Sequence, residues 1–371
     1  MLTIGFDAKR YFLNYTGLGN YSRDLIRILE KHYPENNYIK YTPKLGDNLT
    51  SNQLADKKIQ LPSSKISKML PMVWRNWSII SDLKRDKVEI YHGLSGEIPI
   101  GLQKAGIKSV VTIHDLIFLR YPELYRAVDR WIYDKKAKYA VENADRIIAI
   151  SEQTKQDLMS YYQVPEDKIS VIYQVSHPAF KTEKTEEEKE RIRLKYNLPR
   201  DFVLNVGSIE PRKNAFQIVK AIEGLDIPLV IIGKETHYTQ SIKEYIASKG
   251  MEKQVVFMKG LSMDELATIY AMANIFIYPS KFEGFGIPII EALYSGTPVI
   301  TTNSGVFPEA AGPFSNYIDP ENVAEIRKSI QLILSDPELA NNMAVKGREY
   351  AQRFNDEIIA QQIMGLYHQL V

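Results

Sequence analysis

The chain has 371 residues, of which 44% are apolar and 25% charged, and its formal net charge is +2. This length favours two domains, and this composition is ordinary for a soluble globular protein. The small net charge argues against nucleic acid as the main partner, and the absence of cysteine excludes disulfides and thiolate catalysis.

The N-terminus has the pattern of a short strand and not of a secretory signal peptide. No apolar run approaches the roughly 18 residues needed to span a bilayer. We therefore expect a cytoplasmic protein, and peripheral contact with the inner face of the cytoplasmic membrane stays open.

Short apolar runs that predict strands alternate along the chain with longer amphipathic runs that predict helices. The predicted strands are 2–6, 88–91, 109–113, 146–150, 202–206, 229–232, 255–258, 275–278 and 299–301. The predicted helices include 21–31, 127–142, 152–161, 215–223, 263–273 and 288–295. This alternation is typical of parallel sheets covered by helices on both faces, so the predicted fold class is α/β.

A heavily charged stretch at 181–195 separates two sets of strands, and the second set begins afresh at Phe202. We interpret the stretch as a solvated helix face that opens a second domain. The predicted domains are 1–178 and 179–355, each a Rossmann-like, doubly wound parallel sheet. Ligands of such sheets bind beyond the carboxyl ends of the strands, so two facing sheets predict an inter-domain cleft.

The first glycine motif is Gly17-Leu18-Gly19, ahead of predicted helix 21–31. It matches half of a dinucleotide fingerprint, but Ser22 occupies the place of the third glycine and ten residues separate Phe6 from Gly17. This argues against a nicotinamide enzyme. Two interpretations remain: a loop that approaches a bound phosphate or sugar, and a plain connection.

The segment 57–85 mixes basic residues with Trp74, Trp77 and several other apolar side chains. It could form a basic amphipathic surface for an anionic membrane. It could also form a helix whose tryptophans pack on the first sheet, and we favour this second interpretation.

His114 follows predicted strand 109–113, a position that faces the ligand in open α/β sheets, and His92 is a weaker candidate after strand 88–91. A buried histidine satisfied by a neighbour is the alternative. Neither residue has metal-ligand spacing, and there is no Asp-x-Asp motif. We therefore predict no metal and no other cofactor, so an anionic ligand would be neutralised by cationic side chains and backbone dipoles.

Those cations are predicted at Arg212 and Lys213, where strand 202–206 runs through Gly207 towards the next helix. Arginine offers phosphate oxygens a rigid fork, and lysine offers them a point charge.

The most informative segment is 281–291, where Glu283 and Glu291 flank a Gly-Phe-Gly turn and the start of an apolar helix. Glycines before a helix N-terminus let backbone N–H groups approach an anion. Carboxylates are poor phosphate ligands but good acceptors for sugar and ribose hydroxyls. The combination indicates a site for a nucleoside-diphosphate sugar.

Taken together, these motifs resemble the retaining glycosyltransferases of family four, also called group one, which have a GT-B fold. The resemblance runs through nearly the whole chain, in the family's order, at 17–19, 112–115, 150–154, 207–214 and 283–291. The spacing of Glu283 and Glu291 is its most specific part. The stretch 210–214 is similar to the subgroup dominated by mannosyltransferases that use GDP-mannose.

The resemblance implies a role for each candidate residue. Arg212 and Lys213 would clamp the donor diphosphate, and Glu291 would accept the ribose hydroxyls. Glu283 would lie at the donor sugar, which His114 would reach from the first domain, and these two residues are the predicted catalytic residues. The other implied donor-binding positions are backbone groups and glycines: Gly17, Gly19, Phe285, Gly286 and Ile287. The resemblance also implies that the first domain binds the acceptor and the second the nucleotide sugar. The last helix, about 356–371, would cross back onto the first domain.

The chain departs from the family pattern at two places. Ser208 follows Gly207, where many members carry an arginine, so the phosphate clamp would rest on Arg212 and Lys213 alone. Many members have an Asn-Gly pair after the last strand of the first domain, and here the chain reads Tyr173-Gln174-Val175.

The predicted function is therefore a retaining, metal-independent hexosyltransferase that uses a nucleotide sugar, with GDP-mannose as the preferred donor. The acceptor would be a glycan or a polyprenyl-linked glycan in cell-surface polysaccharide synthesis. The alternatives are a UDP-sugar-dependent transferase, a sugar-nucleotide epimerase or phosphorylase of the same fold, and a non-catalytic nucleotide- or glycan-binding module.

Overall fold

The computed structural model describes residues 1–46 and 58–371, with the backbone alone at 65 and 66. Within it the chain divides into two compact units. The N-terminal unit comprises Met1–Val175 and Asn355–Val371, and the C-terminal unit comprises Ser176–Phe354. The sequence placed the division after residue 178 and the start of the returning segment at about residue 356.

Among the described residues, the N-terminal unit is built on a seven-stranded parallel sheet of order β3-β2-β1-β4-β5-β6-β7. Its strands are β1 (Thr3–Asp7), β2 (Asn37–Tyr41), β3 (Ile59–Gln60), β4 (Ile90–Gly93), β5 (Lys108–Ile113), β6 (Arg146–Ala149) and β7 (Ile169–Val171). Its helices are Lys9–Leu13, Gly17–His32, Lys65–Met69, Pro71–Val73, the π-helical turn Trp74–Ser78, Ile79–Arg85, Ile117–Arg120, Ala127–Asn143, Glu152–Tyr162 and Asp356–His368.

The C-terminal unit, which is described throughout, is built on a six-stranded parallel sheet of order β10-β9-β8-β11-β12-β13. Its strands are β8 (Val203–Val206), β9 (Leu229–Ile232), β10 (Val255–Met258), β11 (Ile275–Tyr278), β12 (Val299–Thr302) and β13 (Asn316–Ile318). Its helices are Glu186–Tyr196, Ala215–Ile222, Tyr238–Ser248, Met263–Met272, Ile287–Tyr294, Phe307–Ala311, Val323–Ser335 and Pro337–Ala351.

The sheet of the N-terminal unit is buried on both faces. Val110 and Ile148 belong to one hydrophobic cluster, whereas their chain neighbours Val111 and Ile147 belong to the other. Successive strand residues point to opposite faces, so strands that are apolar at every position need helices on both sides. The predicted doubly wound α/β fold is thereby confirmed.

The strand order places the topological switch point of the first sheet between β1 and β4 and that of the second between β8 and β11. Connections leave in opposite directions there, which opens a crevice beyond the carboxyl ends of the two strands. Ligand-binding loops are therefore expected after these strands.

The structure adds strands that the sequence did not predict, and β2 shows why. Its fourth residue is Lys40, whose side chain is only 1% exposed and whose Nζ lies 2.5 Å from Oε1 of Glu30. A buried lysine interrupts the apolar pattern that predicts a strand, and contacts such as the one with Glu30 make its burial tolerable.

The C-terminal helix Asp356–His368 belongs to the N-terminal unit. Its Ile359 and Ile363 are buried in the unit's core, and Tyr367 OH lies 2.7 Å from Nδ1 of His92. Near the start of the helix, Arg27 Nη1 contacts Asp356 Oδ2 at 2.8 Å. Packing and polar contacts thus hold both ends of this helix.

The preferred interpretation of 57–85 is correct for one tryptophan and wrong for the other. Trp74 is buried and donates from Nε1 to Asp82 Oδ2 at 2.7 Å, whereas the side chain of Trp77 is 51% exposed. Lys57, which belonged to the predicted basic surface, lies outside the described residues. No helix in the described parts of the chain is both long and apolar enough to cross a bilayer.

Candidate active site

The candidate site of the C-terminal unit lies at the switch point of its sheet. Arg212 and Lys213 occupy a single 3₁₀ turn, Pro211–Lys213, shortly after β8, and Glu283 follows β11. Because β8 and β11 are parallel neighbours, both loops emerge at the same edge of the sheet. A hydrogen bond from Lys281 N to Arg212 O, 2.9 Å long, joins the loops directly.

One oxygen of Glu283 collects most of the donors in this site. Its Oε1 lies 2.8 Å from Arg212 Nη1 and accepts hydrogen bonds from Tyr278 OH at 2.9 Å and from Ser280 Oγ at 3.0 Å. Lys213 Nζ is 3.8 Å away and donates to Tyr278 OH at 3.2 Å. The structure therefore brings together Arg212 and Lys213, which were predicted to bind the donor, and Glu283, which was predicted to be catalytic.

The charge state of this cluster follows from its surroundings. Burial alone raises the pKa of Glu283, but the charges of Lys213 and Arg212 and the hydrogen bonds to Glu283 outweigh burial, so the pKa lies below its ordinary value. Burial likewise lowers the pKa of Arg212, and Glu283 more than restores it. At neutral pH the Glu283 carboxylate lies between two cations, and the more exposed carboxylate of Glu210 lies 3.8 Å from Arg212 Nη2.

Lys213 is placed by a close approach to the backbone. A Cβ atom on Gly207 would lie 2.9 Å from Nζ of Lys213 and 3.1 Å from its Cδ. Gly207 also has a φ of +146°, which side-chain-bearing residues rarely adopt. Glycine at this position thus lets Lys213 lie close to the backbone at the end of β8. The next residue is Ser208, where many family members carry an arginine.

Glu291 lies on the helix Ile287–Tyr294, which begins directly after the glycine loop. Its Oε2 accepts a hydrogen bond from Tyr270 OH at 3.1 Å. Gly286 precedes the helix with a φ of +113°, and the first N–H groups of a helix have no partner within it. The turn therefore places Glu291 and a helix N-terminus on the same segment, as an anion and hydroxyl site requires.

Phe285 contributes in a different way. Its side chain is buried and packs edge-to-face on Phe354, with ring centroids 5.5 Å apart. The ring therefore anchors the glycine loop in the core of the C-terminal unit. The backbone roles of Phe285, Gly286 and Ile287 stay predictions.

In the N-terminal unit, His114 follows β5 and both of its ring nitrogens have protein partners. Nε2 donates to the Leu94 carbonyl oxygen at 2.9 Å, which leaves Nδ1 to accept from Gln174 Nε2 at 3.1 Å. Burial lowers the pKa of His114 to about 4, although the Leu94 bond acts in the opposite direction. The ring is therefore neutral at pH 7, and its catalytic role stays a prediction.

His92 is a structural residue. It is fully buried, and its Nδ1 and Nε2 lie 2.7 Å from Tyr367 OH and 2.8 Å from Thr112 Oγ1. Burial and the neighbouring His114 lower its pKa to about 3. The weaker of the two histidine candidates thus serves to bind the C-terminal helix to β4 and β5.

Acidification from pH 7 to pH 5 is expected to destabilise the N-terminal unit. The unfolded chain binds protons at His92 and His114 near pKa 6.5, whereas the folded chain does not until far lower pH. The contribution of the two neutral histidines to the free energy of unfolding is thus fully present above pH 6.5. Below that pH it falls by up to about 1.4 kcal/mol per pH unit for each histidine. Urea unfolding followed by tryptophan fluorescence measures this, since all three tryptophans belong to the N-terminal unit.

The matched variant is His92→Gln, which removes one of the two titrating groups. Its unfolding free energy should be lower than that of the parent at pH 7 but should vary less between pH 7 and pH 5. Equal unfolding free energies of the parent at these two pH values would contradict the assignment of two buried neutral histidines.

The Gly17–Gly19 motif differs from its prediction. The helix begins at Gly17 and runs to His32, so Gly19 lies inside it and not in a loop before residue 21. A Cβ atom on Gly19 would lie 1.7 Å from the carbonyl oxygen of Asn14, whereas one on Gly17 would meet nothing within 4 Å. Gly19 is thus required by packing, and donor binding by either glycine stays a prediction.

The sequence did not single out Tyr278, Ser280 or Tyr270, although each donates a hydrogen bond to one of the two glutamates. Tyr278 and Ser280 were detectable in principle, because they stand at and just after the carboxyl end of a predicted strand. Tyr270 faces Glu291 only through tertiary packing. Among the described residues, no group of three or more His, Asp or Glu side chains could hold a metal ion.

Family models match both units of this chain. The model for Glycosyltransferase Family 4 matches residues 15–175, and the model for Glycosyl transferases group 1 matches residues 186–350. The chain therefore belongs to the glycosyltransferases of this family, which confirms the predicted resemblance and the predicted class of enzyme.

Two curated relatives and one solved structure extend this likeness. O-antigen chain mannosyltransferase B of Escherichia coli is 26% identical, over 95% of this chain and 96% of that protein. O-antigen chain mannosyltransferase RfbU of Salmonella typhimurium is 26% identical, over 81% of this chain and 80% of that protein. The crystal structure of HepE from Anabaena with UDP and glucose has a TM-score of 0.80 at 16% identity, over 100% of both chains, which shows the shared GT-B fold.

Proposed function

We propose that this glycosyltransferase moves mannose, with retention of configuration, from GDP-mannose to a growing glycan in cell-surface polysaccharide synthesis. The observation that carries the proposal is the pair of cations, Arg212 and Lys213, held beside Glu283 at the switch point of the second sheet. Cations suit the donor diphosphate, and carboxylates suit sugar and ribose hydroxyls. The two O-antigen mannosyltransferases similar to most of this chain support mannose as the sugar.

In the proposed reaction, the bond between the anomeric carbon and the β-phosphate oxygen breaks, and the acceptor oxygen bonds to the same carbon from the same face. The acceptor's proton passes to the departing phosphate. Arg212 and Lys213 stabilise the charge that develops on that phosphate. Glu283 is a weak nucleophile because Arg212, Tyr278 and Ser280 all bind one of its oxygens, which favours this front-face course over a covalent intermediate.

A calorimetric melting experiment with a panel of donors tests the proposed substrate. At equal concentrations, GDP-mannose should raise the melting temperature of the C-terminal unit more than UDP-glucose or ADP-glucose does, because a ligand of the folded state stabilises it by mass action. Calorimetry is needed since this unit contains no tryptophan. The variant Glu291→Ala should lose most of the shift, because its carboxylate would no longer accept the ribose hydroxyls.

A larger increase in melting temperature with UDP-glucose than with GDP-mannose would show that GDP-mannose is not the preferred donor. A protein that binds GDP-mannose but transfers no mannose to any oligomannose or O-antigen acceptor would be a binding module and not the enzyme proposed.

Transfer activity is expected to be unchanged by EDTA. In the proposed complex Arg212, Lys213 and a helix N-terminus take the place that a divalent ion would have beside the diphosphate. Initial rates of mannose transfer should be the same in excess EDTA as in excess MgCl₂. Loss of activity in EDTA that is restored by added metal would contradict the metal-independent mechanism.

A further inference from the structure

A second site lies at the carboxyl edge of the first sheet, where a pocket of about 410 Å³ opens beyond β1 and β2. We call it the cationic pocket, and its lining includes Lys9, Leu13, Lys44, Met72, Arg75 and Lys136. Lys9 follows β1 and Lys44 follows β2. These are positions where an open α/β sheet binds ligands.

The basic side chains that line the pocket outnumber the carboxylates that pair with them. Arg75 is paired with Asp7 and, at 2.5 Å, with Oε2 of Glu97, and Lys136 lies 3.3 Å from Oε1 of the same glutamate. The ion pairs of the described residues do not include Lys9 or Lys44. Four basic side chains thus face two carboxylates, which leaves an excess of two positive charges in a partly enclosed space.

Lys9 shows the effect of this excess. Burial is the main cause of its lowered pKa, and the charge of Arg75 lowers the pKa further. An anion in the pocket would oppose both effects, so the site is electrostatically prepared for a negatively charged group.

The pocket is also apolar on one side, where Leu13 and Met72 line it. Met72 belongs to the segment Pro71–Val73, and the flanking segments expose further large apolar side chains: Met69 is 81%, Met72 73% and Trp77 51% exposed. Exposed apolar side chains grouped beside a binding pocket mark an interaction site for an apolar ligand. A ligand of this surface therefore has both an anionic head and an apolar chain.

A neighbouring pocket of about 250 Å³ contains His114. Lys136 lines both pockets, and the contact between Arg75 and Glu97 joins the wall of one to the wall of the other. A molecule bound in the cationic pocket could thus extend a polar portion towards His114, on the edge of the sheet where the acceptor is expected.

We propose that the cationic pocket binds the phosphate or diphosphate of a lipid-linked acceptor, with the lipid chain lying over Met72 and Trp77 and the glycan directed towards His114. This assignment rests on the proposed glycosyltransferase function and names the acceptor class: a glycan joined through phosphate to an isoprenoid or similar apolar chain. Lys9 and Lys136 bind the head group, and Arg75 holds Glu97 in place.

Farnesyl diphosphate is the probe for this site, with inorganic diphosphate and farnesol as its two halves. Unfolding followed by tryptophan fluorescence should show that farnesyl diphosphate stabilises the N-terminal unit at concentrations at least tenfold below those at which either half does. The double variant Lys9→Gln/Lys136→Gln should bind farnesyl diphosphate at least tenfold more weakly than the parent. The matched control is Lys138→Gln, on the same helix but outside the pocket lining, and it should bind as the parent does.

The variant Arg212→Ala distinguishes binding in the cationic pocket from binding in the donor site, because it should keep the parent's affinity for farnesyl diphosphate. If Arg212→Ala loses that affinity while Lys9→Gln/Lys136→Gln keeps it, the probe occupies the donor site and the inference is overturned. The inference is also overturned if binding to vesicles that contain phosphatidylglycerol requires Lys9 and Lys136 but binding of farnesyl diphosphate does not. The pocket would then hold the head group of a bilayer lipid.

Transfer kinetics separate this inference from the proposed function. In the single variant Lys9→Gln, which leaves the lining of the His114 pocket unchanged, the KM for a lipid-diphosphate-linked glycan should rise severalfold with little change in kcat, while transfer to the same glycan without lipid stays as in the parent. Equal loss with both acceptors would overturn the inference but leave the transferase intact. Absence of transfer by the parent to either acceptor would instead overturn the proposed function.

Discussion

Replacing Arg212 by alanine is expected to lower kcat/KM for the nucleotide-sugar donor by about 100- to 1000-fold, the usual cost of losing one preorganised donor to a developing negative charge. The guanidinium lies 2.8 Å from Glu283 and also donates to the Phe282 carbonyl oxygen, so it is fixed before any phosphate arrives. Its loss removes the rigid fork and leaves Lys213 as the remaining cation on that loop. Steady-state kinetics and GDP titration measure the two effects separately.

The matched control is Lys281→Ala. Lys281 belongs to the adjoining loop but is 49% exposed and pairs with Glu321, so its removal should leave both kinetics and GDP binding unchanged. Arg212→Lys should recover part of the activity, because a point charge replaces the fork. Full activity in Arg212→Ala would show that the diphosphate binds elsewhere.

The second large effect is expected from Glu283→Gln, which should lower kcat/KM by about 100-fold while leaving GDP affinity equal to or higher than that of the parent. The amide keeps the size of the side chain and can still accept from Tyr278 and Ser280 through its oxygen. In the proposed complex its NH₂ group would face the donor sugar, where a carboxylate would accept a hydroxyl. Arg212 and Lys213 lose a competing anion and bind the diphosphate at least as well.

This result separates the two residues, because Arg212→Ala should weaken GDP binding and Glu283→Gln should not. A suitable control is Glu235→Gln, on the surface of the same unit and paired with Lys243. If Glu283→Gln weakened GDP binding as much as Arg212→Ala does, Glu283 would serve to hold the phosphate-binding loop and not to contact the sugar.

Much of the second unit was predictable because three of its strands, β9, β10 and β11, are continuous apolar or aromatic runs. The bounds predicted for β9, β10 and β11 agree with the structure, and the helix Ile287–Tyr294 lies within a residue of its prediction. Strands buried on both faces carry continuous apolar runs, which stand out between polar helices. The residues after those runs, including Arg212 and Glu283, were therefore identified as candidates without knowledge of their contacts.

Other features depended on partners distant in sequence. Lys40 in β2 is buried against Glu30, Gly19 packs on the carbonyl of Asn14, and Trp77 is exposed although Trp74 beside it is buried. Each of these residue types is compatible with the opposite environment. Local propensity therefore gives no reason to choose, and the packing of neighbouring elements decides.

The sequence alone established the class of sheet, the two loops that carry Arg212, Lys213 and Glu283, and the family to which the chain belongs, because these depend on local patterns of apolar residues, glycines and charges. Only the tertiary structure showed that Tyr278 and Ser280 hold Glu283, that His114 is neutral and held by Gln174, and that four basic residues surround one pocket. Hydrogen bonds, desolvation and summed charge depend on distances between residues far apart in the chain, and folding sets those distances.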